Sequence, residues 1–103
     1  MIKVFVMYKL KSGVSIEDYW KWSIELDQKI TPFQPGVYRF EVYAIEGAEK
    51  GESPYQIVES IEVDSFEQWQ KVVSSEAMSE VVHTWKNYAD ESTAKVIYGK
   101  KVK

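Results

Sequence analysis

The chain has 103 residues, no cysteine and one histidine, which excludes disulfides, thiolate catalysis, zinc–thiolate sites and any multi-histidine metal centre. Its formal net charge is −3, and the only basic cluster is the terminal Lys100, Lys101 and Lys103, so nucleic-acid binding has little electrostatic support. We expect one cytoplasmic domain over residues 1–103, with no signal peptide and no membrane span. Aromatic residues make up 15% of the chain, a surplus that can serve a core, a subunit interface or a pocket for a flat ligand.

The first half of the chain predicts a strand, a helix and a second strand. Val, Ile, Phe and Tyr dominate Ile2–Leu10, which is typical of a strand. Ser15 is a good N-cap for an amphipathic helix over 16–30, and this helix must end before Pro32. A turn then leads into a second strand over 37–45.

The second half predicts a strand, a helical region and a final strand. A polar loop over 47–54 connects to a strand over 55–63. A helical region over 66–88 follows, with a break near residues 74–75, and the last strand covers 93–102. The order β-α-β-β-α-β predicts an α+β, ferredoxin-like antiparallel sheet with its helices on one face.

Both faces of this predicted sheet carry apolar side chains. In the first strand Ile2, Val4, Val6, Tyr8 and Leu10 lie on one side, with Phe5 and Met7 on the other. Two apolar faces need two covers, and a second copy of the sheet is the simplest second cover, so we expect a homodimer that closes into an α+β barrel. The other strands repeat the pattern: Tyr38, Phe40, Val42 and Ala44 opposite Val37, Tyr43 and Ile45; Val58 opposite Ile57 and Ile61; and Val96 and Tyr98 opposite Ile97.

Asp27 is the candidate catalytic residue, because it falls within the predicted buried stripe of the first helix. A carboxylate out of water must be paired, hydrogen-bonded, protonated or beside a wet cavity. In the functional interpretation it is a general base or ligand anchor. In the structural interpretation it bonds Arg39, a tyrosine hydroxyl or loop N–H groups. At about 100° per residue, the stripe contains Ile16, Tyr19, Trp20, Ser23, Leu26, Asp27 and Ile30.

Four further residues are candidates for substrate binding. Trp20 and Trp85 lie on the predicted inward stripes of the two helical regions, where they could sandwich a flat ligand or simply fill the core. Ser23 could complete a polar spot with the carboxylate, or bond back to its own helix. Tyr8 could point its hydroxyl into a pocket or across a dimer.

Metal and cofactor sites have little support. His83 falls off the inward stripe of its helix, so a solvated histidine is expected. Glu76 and Glu80 have helical spacing, but two acids on a solvated face are weak evidence for a metal. The glycines are scattered and form no phosphate-binding loop. We therefore expect neither metal nor cofactor.

Several segments over nearly the whole chain carry a family resemblance: residues 8–15, 22–27, 35–40 and 58–63, with Pro54, Tyr55, Phe66 and Trp85. With the order of elements, they resemble the dimeric α+β barrel superfamily of small cofactor-independent monooxygenases, polyketide cyclases and EthD-like proteins. Within it, the chain looks most like the REDY-like HapK family. The motif that names the family falls on residues 24–28, where Glu25 and Asp27 fit, whereas Ile24 stands in place of arginine and Gln28 in place of tyrosine.

The resemblance implies a homodimer with a pocket between helices and sheet in each protomer, and a link to secondary metabolism such as pigment or polyketide pathways. Three functions then compete. The chain could be a cofactor-free oxygenase, cyclase or isomerase acting on a small aromatic or polyketide-like molecule, with Asp27 handling a proton. It could instead be a carrier or sensor of such a molecule, or an interaction protein whose pocket is filled by its own side chains. The last predicts Asp27 tied to the backbone or Arg39.

Overall fold

The computed structural model describes all 103 residues and contains one four-stranded antiparallel sheet. The strands are β1 (Ile2–Leu10), β2 (Val37–Ala44), β3 (Ile57–Val63) and β4 (Ala89–Gly99), in the spatial order β2-β3-β1-β4. The helical segments cover one face, and the fold is the ferredoxin-like α+β arrangement that the sequence predicts. No helix is both long enough and apolar enough to cross a membrane.

Most strand limits agree with the sequence, and β4 differs most. It begins at Ala89 instead of residue 93 because Leu10 pairs with Ala89, beyond a shift in the β1–β4 register between Met7 and Lys9. The polar run after Ala89 looks like a loop in sequence. It is nevertheless held against β1, since the Lys9 N–H donates to the Thr93 hydroxyl.

Each helical region begins at a serine cap. The hydroxyl of Ser15, the predicted cap, accepts from the N–H of Asp18 at the start of α1 (Ile16–Trp22), and Ser65 caps α3 (Phe66–Val73) in the same way. After α1 come a π-helical turn (Ser23–Asp27), the short α2 (Gln28–Ile30) and a 3₁₀ turn (Thr31–Phe33). The second region consists of α3 (Phe66–Val73), a 3₁₀ turn (Glu76–Met78) and α4 (Ser79–Trp85), so the predicted break near residues 74–75 is confirmed.

The strand registers fix which side chains face the helices. Val4 and Tyr8 of β1 are fully buried against the helices, together with Ile57 and Ile61 of β3. Val37 also faces this core, although alternation predicts the opposite, because a shift in the β2–β3 register after Val37 turns it inward. The opposite side, called here the outer face, carries Phe5, Met7, Tyr43, Val58 and Ile97.

The predicted phase of the first helix is wrong for Trp20. This side chain is 55% exposed, whereas Trp22 is 7% exposed and Asp27 is 3% exposed. The π-helical turn Ser23–Asp27 explains the error, since a wider turn rotates each residue by less than the α-helical 100°. Applying a constant 100° through this turn moves the calculated stripe toward Trp20 and away from Trp22.

Trp22→Ala should therefore destabilise the protein far more than Trp20→Ala. Trp22 stacks on Tyr88 with ring centroids 5.4 Å apart, and its indole N–H donates to the Thr84 hydroxyl at 2.8 Å. We expect a loss of ~3–5 kcal/mol in the free energy of unfolding for Trp22→Ala, and less than ~1 kcal/mol for Trp20→Ala. Urea denaturation of both variants measures the difference, and equal losses would contradict the helix phase described here.

Candidate functional site

A cavity of about 210 Å³ lies between the sheet and the helical segments. Eleven of its fourteen lining residues are hydrophobic, and they include Trp22, Trp69 and Trp85. Its polar residues are Asp27, Thr31 and Glu59, and no lysine, arginine or histidine lines it. The cavity therefore combines aromatic walls with two acids and no basic side chain.

Glu59 lies in the middle of the sheet, under the helices. In β3 it pairs with Val42 of β2 and with Val6 of β1, and Val6 in turn pairs with Val96 of β4. These four residues form a row across all four strands on the helix-covered face. The carboxyl group thus projects from a rigid, fully paired part of the sheet.

Asp27 approaches the same cavity from the helical layer. It ends the π-helical turn, and its Oδ1 accepts a hydrogen bond of 2.6 Å from the Thr31 hydroxyl, one turn later. The predicted alternative partner, Arg39, contacts Glu41 instead, and no loop N–H bonds the carboxylate. Burial raises the pKa of Asp27 to about 6, although the hydrogen bond from Thr31 opposes the shift.

Sequence reasoning missed Glu59, which is 7% exposed. Its Oε2 accepts a hydrogen bond of 2.6 Å from the Tyr8 hydroxyl. Burial raises the pKa of Glu59 to about 8, the negative charge of Asp27 adds to the rise, and the bond from Tyr8 opposes it. A signal was available, because strand alternation places Glu59 on the same side as the core residues Ile57 and Ile61.

Each carboxyl group has one oxygen without a protein partner. The hydrogen bonds of Asp27 and Glu59 engage Oδ1 and Oε2, respectively. No fully buried side-chain oxygen in the chain lacks a partner, so Asp27 Oδ2 and Glu59 Oε1 must retain some accessible surface. Because both residues line the cavity, these two oxygens can contact a bound molecule.

Tyr8 supports Glu59 and does not itself line the cavity. Its hydroxyl lies 2.6 Å from both Glu59 Oε2 and the Tyr19 hydroxyl, which links β1, β3 and α1. Burial raises the pKa of both tyrosines above the ordinary value, and the charge of Glu59 adds to the rise. Both hydroxyls therefore stay protonated and serve as hydrogen-bond donors at neutral pH.

The other predicted candidates divide into two groups. Trp85 lines the cavity and contacts Tyr8 edge-on, with ring centroids 5.2 Å apart. Trp20 and Ser23 lie instead beside a separate pocket of about 30 Å³, where the buried Ser23 hydroxyl accepts from the Gln28 amide. They do not line the larger cavity.

His83 is exposed, as predicted, and no group of three or more acidic or histidine residues is arranged to hold a metal ion.

The chain matches the model of one known protein family. The family model described as REDY-like protein HapK matches residues 2–102. No curated protein gives a significant match.

Solved structures extend the likeness. The crystal structure of HapK from Hahella chejuensis has a TM-score of 0.80 and 17% identity, covering 99% of this chain and 93% of that one. A dimeric ferredoxin-like protein of unknown function from Thermobifida fusca has a TM-score of 0.75 and 11% identity, covering 97% and 90%. A structure described as an antibiotic biosynthesis monooxygenase has a TM-score of 0.74 and 16% identity, covering 100% of both chains. At these identities the likeness establishes the fold.

Proposed function

This chain belongs to the REDY-like HapK family, and on that premise we propose that the cavity between its sheet and helices binds a small aromatic molecule and exchanges protons with it. The observation that carries the proposal is the pair of buried acids, Asp27 and Glu59, on the wall of an otherwise apolar cavity. An acid pair of this kind is costly to bury, and perturbed carboxyl groups in cavities are concentrated at functional sites.

The size of the cavity supports a ligand of one substituted ring. An engineered apolar cavity of about 150 Å³ in another protein stays dry and binds benzene, and the cavity here is about 210 Å³. Trp22, Trp69 and Trp85 contribute aromatic surface to the lining, and Trp85 is itself held in place by its edge contact with Tyr8.

The two acids suit opposite steps of one proton exchange. Between about pH 6 and pH 8, Asp27 is mainly ionised and Glu59 is mainly protonated. Asp27 would take a proton from a carbon next to a carbonyl or imine group, while Glu59 would give its proton to the oxygen or nitrogen. The product is the enol or enamine isomer, with the substrate's proton count unchanged. Some isomerases likewise combine a carboxylate base with a neutral carboxylic acid as hydrogen-bond donor.

This chemistry needs no cofactor and fits an isomerase or a ring-closing cyclase of secondary metabolism. An oxygenase would use the same proton removal, with dioxygen as a further substrate. A carrier or sensor would use the cavity for binding alone. The apolar lining is compatible with an enzyme and with a carrier or sensor, and the acid pair favours the enzyme.

Acetophenone can test the proposal, because it is one ring with exchangeable protons beside a carbonyl. In D₂O, the protein should speed exchange of its methyl protons, followed by ¹H NMR, and Asp27→Asn should return the rate to that of buffer. A positioned general base speeds proton transfer by roughly 10²–10⁴-fold.

The melting temperature of Asp27→Asn at neutral pH should not fall. A carboxyl group whose pKa is higher in the folded than in the unfolded state costs stability once it is ionised, and Asn removes that charge.

Glu25→Gln is the matched control, because it removes an exposed carboxylate from the same π-helical turn. It should leave the exchange rate unchanged. If acetophenone binds but does not exchange faster than in buffer, the protein is a carrier or sensor. If Asp27→Asn unfolds at a much lower temperature, Asp27 has a structural role instead.

We further propose that the protein is a homodimer joined through the outer face. Phe5, Met7 and Val58 remain partly accessible there, and Tyr43 and Ile97 are about half exposed. Apolar side chains contributed by all four strands to this face favour association with a second copy. The ferredoxin-like relative from Thermobifida fusca is described as dimeric.

Sedimentation equilibrium at micromolar concentration tests the dimer. The wild-type protein should sediment at twice the chain mass of 12.0 kDa. Val58→Asp places a charge in the middle of the outer face and should yield folded monomer. Phe33→Asp adds the same charge at a side chain that is 79% exposed on the helical side, and should remain dimeric. A wild-type monomer would contradict the proposal.

A further inference from the structure

We infer that the molecule bound in this cavity carries a basic nitrogen that is protonated in the complex, as in an amine or an imine. The inference rests on the proposed function and narrows its substrate class. Three features of the cavity support it independently: its charge, its unpartnered oxygens and its aromatic walls.

The charge of the lining has one sign. Asp27 and Glu59 are the ionisable groups that line the cavity, and no basic side chain offsets them. Arg39, which could have balanced Asp27, lies exposed beside Glu41. In this mostly apolar lining an anionic ligand would meet like charge without a counter-charge, whereas a cation would relieve the existing imbalance.

The two unpartnered oxygens can accept hydrogen bonds from a bound molecule once their carboxyl groups are ionised. Asp27 Oδ2 and Glu59 Oε1 belong to side chains that are more than nine-tenths buried, and both residues line the cavity. A ketone oxygen offers no donor to the ionised Asp27 carboxylate. A protonated amine offers up to three N–H groups on one atom, and its bonds to a carboxylate are strengthened by charge.

The aromatic walls also suit a cation. Trp22, Trp69 and Trp85 line the same cavity as the two acids. The face of an indole ring attracts an alkylammonium group, and tryptophan is the strongest of the aromatic side chains in this interaction. Anions gain nothing from an indole face, so a lining rich in tryptophan favours the same charge as the two acids.

A bound cation must also change the protonation of the site. The titratable groups around the pair are Tyr8 on β1 and Tyr19 on α1, and both remain neutral. A positive charge lowers the pKa of both carboxyl groups, so binding near neutral pH should release up to one proton, mainly from Glu59. Cation affinity should therefore rise with pH as the two groups ionise, between about pH 6 and pH 8.

The test uses 2-phenylethylamine and 2-phenylethanol, which have the same number of non-hydrogen atoms and differ in charge. Calorimetry at pH 5.5 and pH 8.5 should show that the amine binds more tightly at the higher pH. At pH 8.5 its affinity should exceed that of the alcohol by roughly tenfold. Repeating the titration at pH 7 in phosphate and in Tris measures proton release, which should accompany the amine and be absent for the alcohol.

Asp27→Asn and Glu59→Gln should each reduce the preference for the amine. Glu62→Gln removes an acid from the outer face of the same strand and should leave the preference intact. The difference in affinity between amine and alcohol for the wild-type protein tests the inference even if Glu59→Gln fails to fold. Equal affinities at pH 8.5, or a preference independent of pH, would overturn the inference and leave the proposed function standing. If neither probe binds, nor acetophenone, the proposed function fails as well.

Discussion

Two largely buried carboxyl groups beside one cavity are the constraint on which the rest of the structure depends. Each group must find a hydrogen-bond donor in a mostly apolar interior, and each finds one: Thr31 for Asp27 and Tyr8 for Glu59. Because Tyr8 also meets Tyr19, the support for Glu59 joins the centre of the sheet to α1. The same buried side chains thus donate hydrogen bonds to the carboxyl groups and pack in the core.

The π-helical turn is the local feature that brings Asp27 into this arrangement. It keeps Tyr19, Ser23 and Asp27 together on the buried side of the helix, whereas uniform α-helical rotation would carry successive members of this series round toward solvent. Thr31 begins the 3₁₀ turn that follows the short α2 and is almost fully buried. Such π-helical turns often occur at functional sites, which agrees with the role proposed for Asp27.

The fold could be predicted from the sequence because its signals are local. Strand alternation, serine caps and the break near residues 74–75 each depend on neighbouring residues. The burial of Asp27 was also predicted, but the phase of its helix was not, because nothing local in residues 23–27 announces a wider turn. Trp20 was therefore placed inside and Trp22 overlooked. Val37 and the start of β4 were misjudged for a similar reason, since register shifts depend on the pairing strand.

Glu59 is the site residue that the sequence pattern alone did not identify. Its position between two core isoleucines was readable from the alternation of β3, yet a lone acid in a strand is usually solvated. Only the tertiary arrangement brings it to the same cavity as Asp27 and within hydrogen-bond distance of the Tyr8 hydroxyl. The pairing of the two acids is therefore a property of the fold, whereas the burial of each could be inferred separately.

The central claim is that burial beside one cavity raises the pKa of both acids. A ¹³C NMR titration of the labelled aspartate and glutamate carboxyl carbons measures this directly, with Asp27→Asn and Glu59→Gln providing the assignments. The account predicts two carboxyl groups that titrate far above the others, at about pH 6 and about pH 8. Titration of every carboxyl group at about pH 4, as for solvated side chains, would contradict it.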